Sequence, residues 1–258
     1  MTVLDKIIAD KRKEISERKK LISIDNLISS PFFRHQCFSL KENLLQSTTG
    51  IIAEFKRKSP SKGWINEDAE VVEITSGYQE AGASGLSILT DAPYFGGVPA
   101  DLTAARPHLH IPVLRKDFMV DEYQLYEAKS MGADVILLIA AALTPAETLH
   151  LARKAKELGM EVLLEVHNRE EIGHANDFVD LLGVNNRNLK TMEVSTEISY
   201  ELIKFIPDQF VKISESGISS PLTVKALRLA GYQGFLMGEN FMKTKNPAVA
   251  LKEFLGRI

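Results

Sequence analysis

The sequence is poor in cysteine, nearly balanced in charge and without any long apolar run. Cys37 is the single cysteine among 258 residues, so no internal disulfide can form and a reducing cytoplasm is the expected compartment. The formal net charge of -3 leaves no basic excess to neutralise nucleic-acid phosphates. No segment is apolar for long enough to cross a bilayer, and the charged N-terminus does not resemble a signal peptide. We therefore expect a cytoplasmic protein that binds neither nucleic acid nor membranes.

What the sequence has instead is a regular alternation of strand-like and helix-like segments from Ile51 onward. Short apolar runs of about five residues are typical of parallel strands that are covered on both faces. Eight such runs are present, at residues 51–55, 86–89, 112–115, 135–139, 162–165, 181–184, 211–214 and 234–237. Amphipathic segments between them predict helices at residues 69–80, 122–130, 145–158 and 221–229.

A faint internal repeat supports this division of the chain. Gly82, Gly132, Gly159 and Gly231 each end a predicted helix just before a predicted strand, where glycine adopts the left-handed conformation that stops a helix. Eight strand–helix units without a long linker predict a (β/α)8 TIM barrel of the α/β class. A doubly wound open sheet is the alternative, but no G-x-G-x-x-G motif follows the first strand.

Residues 1–48 differ from the repeating part. Four apolar residues share one helical stripe, namely Leu4, Ile7, Ile8 and Ile15. Thr2 and Asp5 have the spacing of a capping box at the start of that helix, and a second helix is predicted near residues 40–45. We expect a single domain over residues 1–258, in which an N-terminal helical extension (1–48) packs on the barrel (49–258).

Charged residues are concentrated where the predicted strands end. Because side chains alternate faces along a strand, Glu54 and Lys56 lie on the same side as the apolar Ile52. The same parity holds at four further strand ends, for Lys116, Glu165, Asn185 with Arg187, and Glu215. A single charge at a strand end is usually a surface residue. Agreement on five strands predicts a shared active site, because barrel active sites lie at the carboxyl ends of the strands.

Such a mixture of Lys and Glu would have shifted and coupled proton affinities, which suits general acid–base catalysis.

Other charges near these strand ends are expected to be structural. Arg115 and Asp117 have the opposite parity, which predicts ion pairs behind the barrel wall. Arg57 and Lys58 are expected to be solvated loop residues, and Cys37 a small apolar filler.

Two glycines indicate a phosphate site. Gly217 follows the seventh strand and Gly238 the eighth, where barrels often bind phosphate with free backbone N–H groups. Glu239 comes next, and we expect it to offer its backbone N–H while its carboxylate turns away.

Metal binding is not predicted. No spacing of histidines and acids resembles a metal site, although His167 shares the parity of Glu165. We therefore expect neither a metal nor a cofactor.

Several segments together resemble the indole-3-glycerol-phosphate synthase family, the lyase of tryptophan biosynthesis. The matching segments lie between residues 51 and 242 and read IIAEFKRKSPSKG, LRKDF followed by DEYQ, GADVILLIAA, EVLLEVHN, GVNNRNL, SESGI and FLMGENFM. The first two are the most specific, whereas SESGI and the last glycine loop alone indicate only a sugar-phosphate barrel. The chain departs from the family pattern at Val98, at His167 with Asn168, and at residues 140–142.

The resemblance implies a reaction and a set of roles. The substrate would be 1-(2-carboxyphenylamino)-1-deoxyribulose 5-phosphate, which closes its ring, loses carbon dioxide and then loses water. Lys116 would protonate the ketose carbonyl oxygen, and Glu165 would act as base or stabilise the cation at the aniline nitrogen. Lys56 would neutralise the carboxylate or phosphate, or donate a proton in the dehydration.

The same resemblance places Glu54, Glu215, Asn185 and Ser216 in the catalytic set with Lys116, Glu165 and Lys56, and it assigns further residues to binding. Glu54 and Glu215 would bind hydroxyls and tune the lysines, while Asn185 and Ser216 would orient the substrate. The substrate-binding set implied by the family is Ser59, Phe95, Phe118, Arg187 and Leu189, with Phe95 and Phe118 forming an apolar wall around the aromatic ring. The phosphate-binding set is Lys56, Gly217, Gly238 and Glu239.

Three other functions are compatible with such a barrel. A Schiff-base aldolase also needs a lysine, but carboxylates around Lys116 and Lys56 would keep these lysines protonated rather than nucleophilic. The isomerase that precedes this lyase in the pathway does not require two lysines. A non-catalytic phosphate-ligand barrel would not need the full set of charges. The partner is expected to be a phosphorylated small molecule; the oligomeric state and association with other pathway enzymes stay open.

Overall fold

A closed barrel of eight parallel strands forms the body of the protein. The computed structural model describes residues 2–189 and 191–258. The strands are β1 (Ile51–Phe55), β2 (Gly85–Leu89), β3 (Val113–Lys116), β4 (Val135–Ile139), β5 (Glu161–Val166), β6 (Leu181–Asn185), β7 (Val211–Glu215) and β8 (Gly234–Met237). Each strand pairs with its neighbour in chain order, and β8 closes the barrel by pairing with β1. The predicted TIM barrel is confirmed.

Helices surround the barrel and precede it. They are α1 (Val3–Leu21), α2 (Ile24–Ile28), α3 (Leu40–Gln46), α4 (Val71–Ala81), α5 (Ala92–Phe95), α6 (Pro99–Ala105), α7 (Tyr123–Met131), α8 (Pro145–Glu157), α9 (Glu197–Leu202), α10 (Pro221–Ala230), α11 (Glu239–Met242) and α12 (Pro247–Leu255). Single 3-10 turns cover Arg106–His108, Ala140–Ala142, Glu170–His174 and Ile203–Phe205. Lys58–Ser59 and Gly63–Trp64 form a short antiparallel hairpin after β1. Within the described residues, no helix combines the length and apolar character needed to cross a membrane.

Local signals predict the helix ends correctly. The capping box of α1 is present, because Thr2 Oγ1 accepts the Asp5 N–H at 3.1 Å and Asp5 accepts the Thr2 N–H at 2.7 Å. All four predicted helix-ending glycines have a positive φ: Gly82, Gly132, Gly159 and Gly231. Each strand limit agrees with the prediction or differs from it by one residue. For example, β3 begins at Val113 because Pro112 has no N–H to donate to the ladder.

The barrel has a plugged end and an open end. Inside it, Leu114, Leu163 and Ile213 pack with Leu40 and Leu44 of α3. Glu161 at the start of β5 holds α3 in place by accepting the backbone N–H groups of Leu40 and Lys41, at 2.8 and 3.0 Å. Because α3 closes the end where the strands begin, the cavity lies at the opposite, carboxyl end of the strands.

Buried ion pairs attach α1 to the barrel. The Lys11 ammonium is fully buried and lies 2.9 Å from Asp91 and 3.0 Å from Asp117. Arg115 pairs with Asp117 at 3.0 Å, so the predicted ion pair behind the barrel wall is confirmed. Burial by itself would raise the pKa of Asp117, but Arg115 and Lys11 outweigh it and hold that pKa well below its usual range. Asp117 adjoins Lys116, and the position of α1 is therefore coupled to the end of β3.

Replacing Lys11 with Met is expected to lower the free energy of unfolding by about 3–5 kcal/mol, because Asp91 would stay buried without a cation and Asp117 would keep only Arg115. Urea unfolding measures this loss. Lys13→Met is the matched control, since its side chain is 82% exposed on the same helix, and we expect a change within about 0.5 kcal/mol. Equal stability of the two variants would contradict the anchoring role of Lys11.

The expectation that Arg57 is a solvated loop residue is wrong. Its guanidinium forms a two-pronged ion pair with Asp101, at 2.7 and 3.0 Å, and donates to the backbone oxygens of Ala69 and Gly96. Lys58 is less confined and donates to the Pro93 oxygen at 3.1 Å. Arg57 thus fastens the segment after β1 to α6.

Candidate active site

A single cavity at the carboxyl end of the barrel is lined by every residue that the sequence assigned to a site. These residues are Glu54, Lys56, Ser59, Phe95, Lys116, Phe118, Glu165, Asn185, Arg187, Leu189, Glu215, Ser216, Gly217, Gly238 and Glu239. They come from the ends of five strands and from the loops and short helices that follow β1, β2, β3, β6, β7 and β8. The structure therefore brings the predicted set together around one space, and the roles of its members remain predictions.

Lys116 lies at the centre of an ion cluster in this cavity. Its Nζ is 2.5 Å from Oε2 of Glu215 and 3.4 Å from Oε2 of Glu165. Lys56 forms a second pair, with its Nζ 2.7 Å from Oε1 of Glu54. The three carboxylates are almost fully buried. The Lys116 cluster thus combines residues of β3, β5 and β7. The neighbouring pair consists of Glu54 in β1 and Lys56, which follows β1.

The cluster separates the proton affinities of its members. Burial by itself would lower the pKa of Lys116, but Glu215, Glu165 and Glu54 outweigh it and raise that pKa above its ordinary value. Burial would likewise raise the pKa of Glu165, yet Lys116 and His167 hold it below its usual range. Burial raises the pKa of Glu215 to about 7, with Glu165 and Glu54 adding to the rise and Lys116 opposing it. The site therefore holds a persistent ammonium, a persistent carboxylate and a carboxyl that titrates near neutrality.

Two glycines give these carboxylates room. A Cβ on Gly183 of β6 would overlap the Glu215 carboxylate, and a Cβ on Gly238 would overlap that of Glu54. The sequence assigned Gly238 to phosphate contact alone, and the structure adds this second reason for a glycine there. Any larger residue at either position would push a charged group of the cluster out of place.

The backbone after β7 is strained. Ser216 has φ +66° and Gly217 has φ +73°, and a left-handed conformation is uncommon for a residue with a side chain. The Asn186 amide holds this turn by donating to the Ser216 oxygen and to Ser214 Oγ, each at 3.0 Å. Strain of this kind is commonly found at functional sites. Here it directs the Ser216 and Gly217 segment towards the cavity.

An apolar wall faces the ion cluster. The rings of Phe95 and Phe118 lie 6.1 Å apart at an interplanar angle of 40°. The β4 strand contributes Leu137 and Ile139 on another side. Three residues of α1 also line the cavity, namely Val3, Leu4 and Ile7. The sequence indicates an apolar stripe that packs on the barrel, but it gives no sign that the stripe covers the site.

The loop after β6 is held by its own contacts. Arg187 donates to the Met192 oxygen at 3.2 Å and forms an isolated bridge with Val194. Leu189 lines both the main cavity and a smaller adjoining one. Ser59 is buried on the opposite side, and its hydroxyl has no hydrogen-bond partner among the described residues.

His167 contacts the site more closely than the sequence predicts. Its Nε2 lies 3.3 Å from Oε1 of Glu165, and its Nδ1 lies 3.1 Å from Oε2 of Glu171. Shared parity with Glu165 is the signal for this proximity. Over residues 2–189 and 191–258, no group of His, Cys, Asp and Glu is arranged to hold a metal ion.

Comparisons with known proteins agree with this geometry. A family model described as indole-3-glycerol phosphate synthase matches residues 4–254. A protein of that name from Bacteroides thetaiotaomicron is 51% identical over 256 residues, which cover 99% of this chain and 98% of the relative. Another, from a Polaromonas species, is 44% identical over 259 residues, covering 98% of each.

Solved structures support the fold alone. The 3-hexulose-6-phosphate synthase from Salmonella typhimurium superposes with a TM-score of 0.61 at 15% identity. The match covers 80% of this chain and 98% of that one. A chain of the tryptophan synthase complex from Pyrococcus furiosus superposes with a TM-score of 0.60 at 14% identity, covering 81% and 97%.

Proposed function

The chain belongs to the indole-3-glycerol phosphate synthase family, and from that membership we propose the roles of its cavity residues. Its activity is that of a decarboxylating lyase of tryptophan biosynthesis. The reaction converts 1-(2-carboxyphenylamino)-1-deoxyribulose 5-phosphate to indole-3-glycerol phosphate, carbon dioxide and water. Two protons are donated to oxygen and one is removed from carbon, so one proton is taken up as the carboxylate leaves as carbon dioxide.

Lys116 is the acid of the ring closure. The ring carbon that bears the carboxylate attacks the ketose carbonyl, and negative charge develops on the carbonyl oxygen. A partly buried ammonium stabilises that charge and transfers its proton in the same step. The contacts of Lys116 with Glu165 and Glu215 support this role, because they keep the group charged until the substrate oxygen arrives. This ion cluster beside an aromatic wall carries the proposal.

Glu165 acts as an anion opposite the aniline nitrogen. As the aromatic ring attacks, positive charge develops at that nitrogen, and a fixed carboxylate stabilises it. The lowered pKa of Glu165, which reflects Lys116 and His167 against the effect of burial, favours this electrostatic role over proton abstraction. Glu215 is better suited to exchange a proton near neutral pH, because burial raises its pKa to about 7.

Lys56 donates a proton in the dehydration step and helps to bind the phosphate group of the substrate. Its ammonium, paired with Glu54 at 2.7 Å, donates the proton that leaves with the hydroxyl as water. The backbone N–H groups at Gly217, Gly238 and Glu239 bind the phosphate together with Lys56, since such groups at short helix starts favour anions.

The remaining lining residues hold the substrate. Phe95 and Phe118 flank its aromatic ring. Asn185, Ser216, Ser59, Arg187 and Leu189 orient the sugar chain and the carboxylate, and Glu54 and Glu215 bind the hydroxyl groups. Their common position on one cavity supports this division of roles.

The activity is tested with the synthetic substrate and purified protein. Indole fluorescence is expected to rise in proportion to carbon dioxide release, and borohydride is expected to trap no covalent adduct. A Schiff-base aldolase would give a trapped lysine adduct instead, because its lysine must be neutral to attack a carbonyl. Trapping at Lys116 or Lys56 without indole formation would overturn the proposal.

We further propose that the enzyme works in the cytoplasm on this phosphorylated small molecule and that one chain suffices. The residues proposed for catalysis and binding lie around one cavity of the same chain, as an active monomer would require. The single cysteine is consistent with a reducing compartment. Size-exclusion chromatography with activity measured across the peak tests the second point, and activity confined to a larger species would contradict it.

A further inference from the structure

His167 bridges two carboxylates at the edge of the cavity. It follows β5 directly, and its side chain is 10% exposed. One ring nitrogen faces Glu165 at 3.3 Å and the other faces Glu171 at 3.1 Å. None of the reaction steps proposed for the cavity residues involves this histidine.

The geometry fixes the charge of the ring. A neutral imidazole has one nitrogen that donates and one that accepts a hydrogen bond. If His167 were neutral, its accepting nitrogen would face a carboxylate oxygen, which is also an acceptor. Only the imidazolium is favourable beside both carboxylates: its Nδ1 forms a hydrogen bond with Glu171, and its Nε2 forms an ion pair with Glu165 at a distance of 3.3 Å without hydrogen-bond geometry. Burial would lower the pKa of His167, but Glu165 and Glu171 outweigh it and raise that pKa to about 10.

The turn after β5 fixes the orientation of the ring. Asn168 and Glu171 form reciprocal hydrogen bonds, at 2.7 Å from the Asn168 amide to the Glu171 carboxylate and 3.0 Å from the Glu171 N–H to Asn168 Oδ1. Glu171 also accepts the backbone N–H of His167 at 2.8 Å. The carboxylate of Glu171 therefore holds both the backbone and the ring of His167, and this places the other ring nitrogen 3.3 Å from Glu165 Oε1.

We propose that His167 is a positioning residue: its imidazolium, held by Glu171, fixes Oε1 of Glu165 and keeps that carboxylate charged, while Oε2 faces Lys116 and the substrate. The inference rests on the proposed electrostatic role of Glu165. It assigns His167, Asn168 and Glu171 a common task.

The surrounding charges determine what the loss of His167 would do. Three groups surround Glu165: Lys116 of β3, Glu215 of β7 and the Asn185 amide of β6. Glu54 and Lys56 lie farther away, at the end of β1. Asp5 of α1 and Arg187 line the small cavity onto which His167 opens. Without the imidazolium, Lys116 is the cation in contact with both Glu165 and Glu215. Because an opposite charge within about 4–6 Å lowers the pKa of a carboxyl by about 1–3 units, removing one raises the pH at which this pair takes up a proton.

His167→Gln tests the proposal through the pH dependence of kcat/KM. Gln keeps a hydrogen-bond donor and removes the charge. We expect the acid limb of the profile to move up by about one pH unit or more, with kcat reduced more than KM changes and activity largely recovered at higher pH. Glu165 and Glu215 titrate together. The apparent pKa of the acid limb therefore describes the pair, whichever carboxyl is protonated first.

Two further variants complete the experiment. His150→Gln is the matched control, because His150 also pairs with a glutamate, Glu122, but is 63% exposed on α8; its profile should match the wild type. The double variant His167→Gln/Glu171→Gln removes the cation together with the carboxylate that would otherwise lose its cationic partner. It should show the same shift of the acid limb even if the single variant folds poorly.

An acid limb that stays in place would overturn the proposal, whether activity is unchanged or falls equally at every pH. The second pattern would mean that His167 only supports the fold. A separate variant tests the proposed role of Glu165. If that role is wrong, Glu165→Gln would keep full turnover. A shifted limb in His167→Gln together with an inactive Glu165→Gln supports both.

Discussion

Lys116→Met is expected to reduce kcat by about 10²–10⁴-fold, the range that loss of a positioned general acid usually causes. Met fills a similar volume but can neither donate a proton nor stabilise the charge on the carbonyl oxygen. Binding should persist, because the phosphate and the aromatic ring are held by other residues of the cavity. Single-turnover kinetics and fluorescence titration with the substrate separate the two effects.

A matched control is available three residues after β1. Lys58→Met makes the same change at a lysine that does not line the cavity and that donates to the Pro93 oxygen. We expect its kcat to stay within about twofold of the wild type, as is usual for surface substitutions. A Lys116→Met enzyme with the kcat of its control would be incompatible with an acid role for Lys116. Circular dichroism of both proteins shows whether the fold is kept.

Glu165→Gln is expected to lower kcat by about 10²–10³-fold, comparable to the removal of one electrostatic contact in the transition state. Gln preserves the shape of the side chain and loses the negative charge opposite the aniline nitrogen. The substrate is bound before that charge develops, so KM should change little. Steady-state kinetics at several pH values measures both constants.

Glu157→Gln is the control for this change. Glu157 ends α8, pairs with Lys154 at 2.7 Å and has a side chain that is 53% exposed. Its variant should match the wild type in kcat and KM. Equal activity of the two variants would exclude Glu165 from the chemical steps. A rise in KM with unchanged kcat would mean instead that Glu165 only binds the substrate.

The sequence predicts the barrel because the signals for it are local. Apolar runs such as residues 135–139 mark strands covered on both faces, and a glycine such as Gly132 marks the end of the preceding helix. The candidate site follows from one further regularity, the two-residue period of strand side chains. That period places Glu54 of β1, Glu165 of β5 and Glu215 of β7 on the inside of one mouth.

Contacts between distant residues could not be predicted in the same way. Arg57 and Asp101 are 44 residues apart, and no spacing in the sequence indicates their pair. Lys11 belongs to a basic segment that resembles the solvated face of a helix, yet tertiary packing buries it against Asp91 and Asp117. The position of α1 over the cavity depends on that packing as well.

The shared action of Lys116 and Glu165 is tested most directly by a double-mutant cycle in kcat. Groups that act as a unit are strongly non-additive, because removing either one already disables the unit. We predict that the double variant Lys116→Met/Glu165→Gln is about as slow as the slower of the two single variants. A double variant whose loss equals the product of the two single losses would show that the ammonium and the carboxylate work independently, which would contradict their shared action.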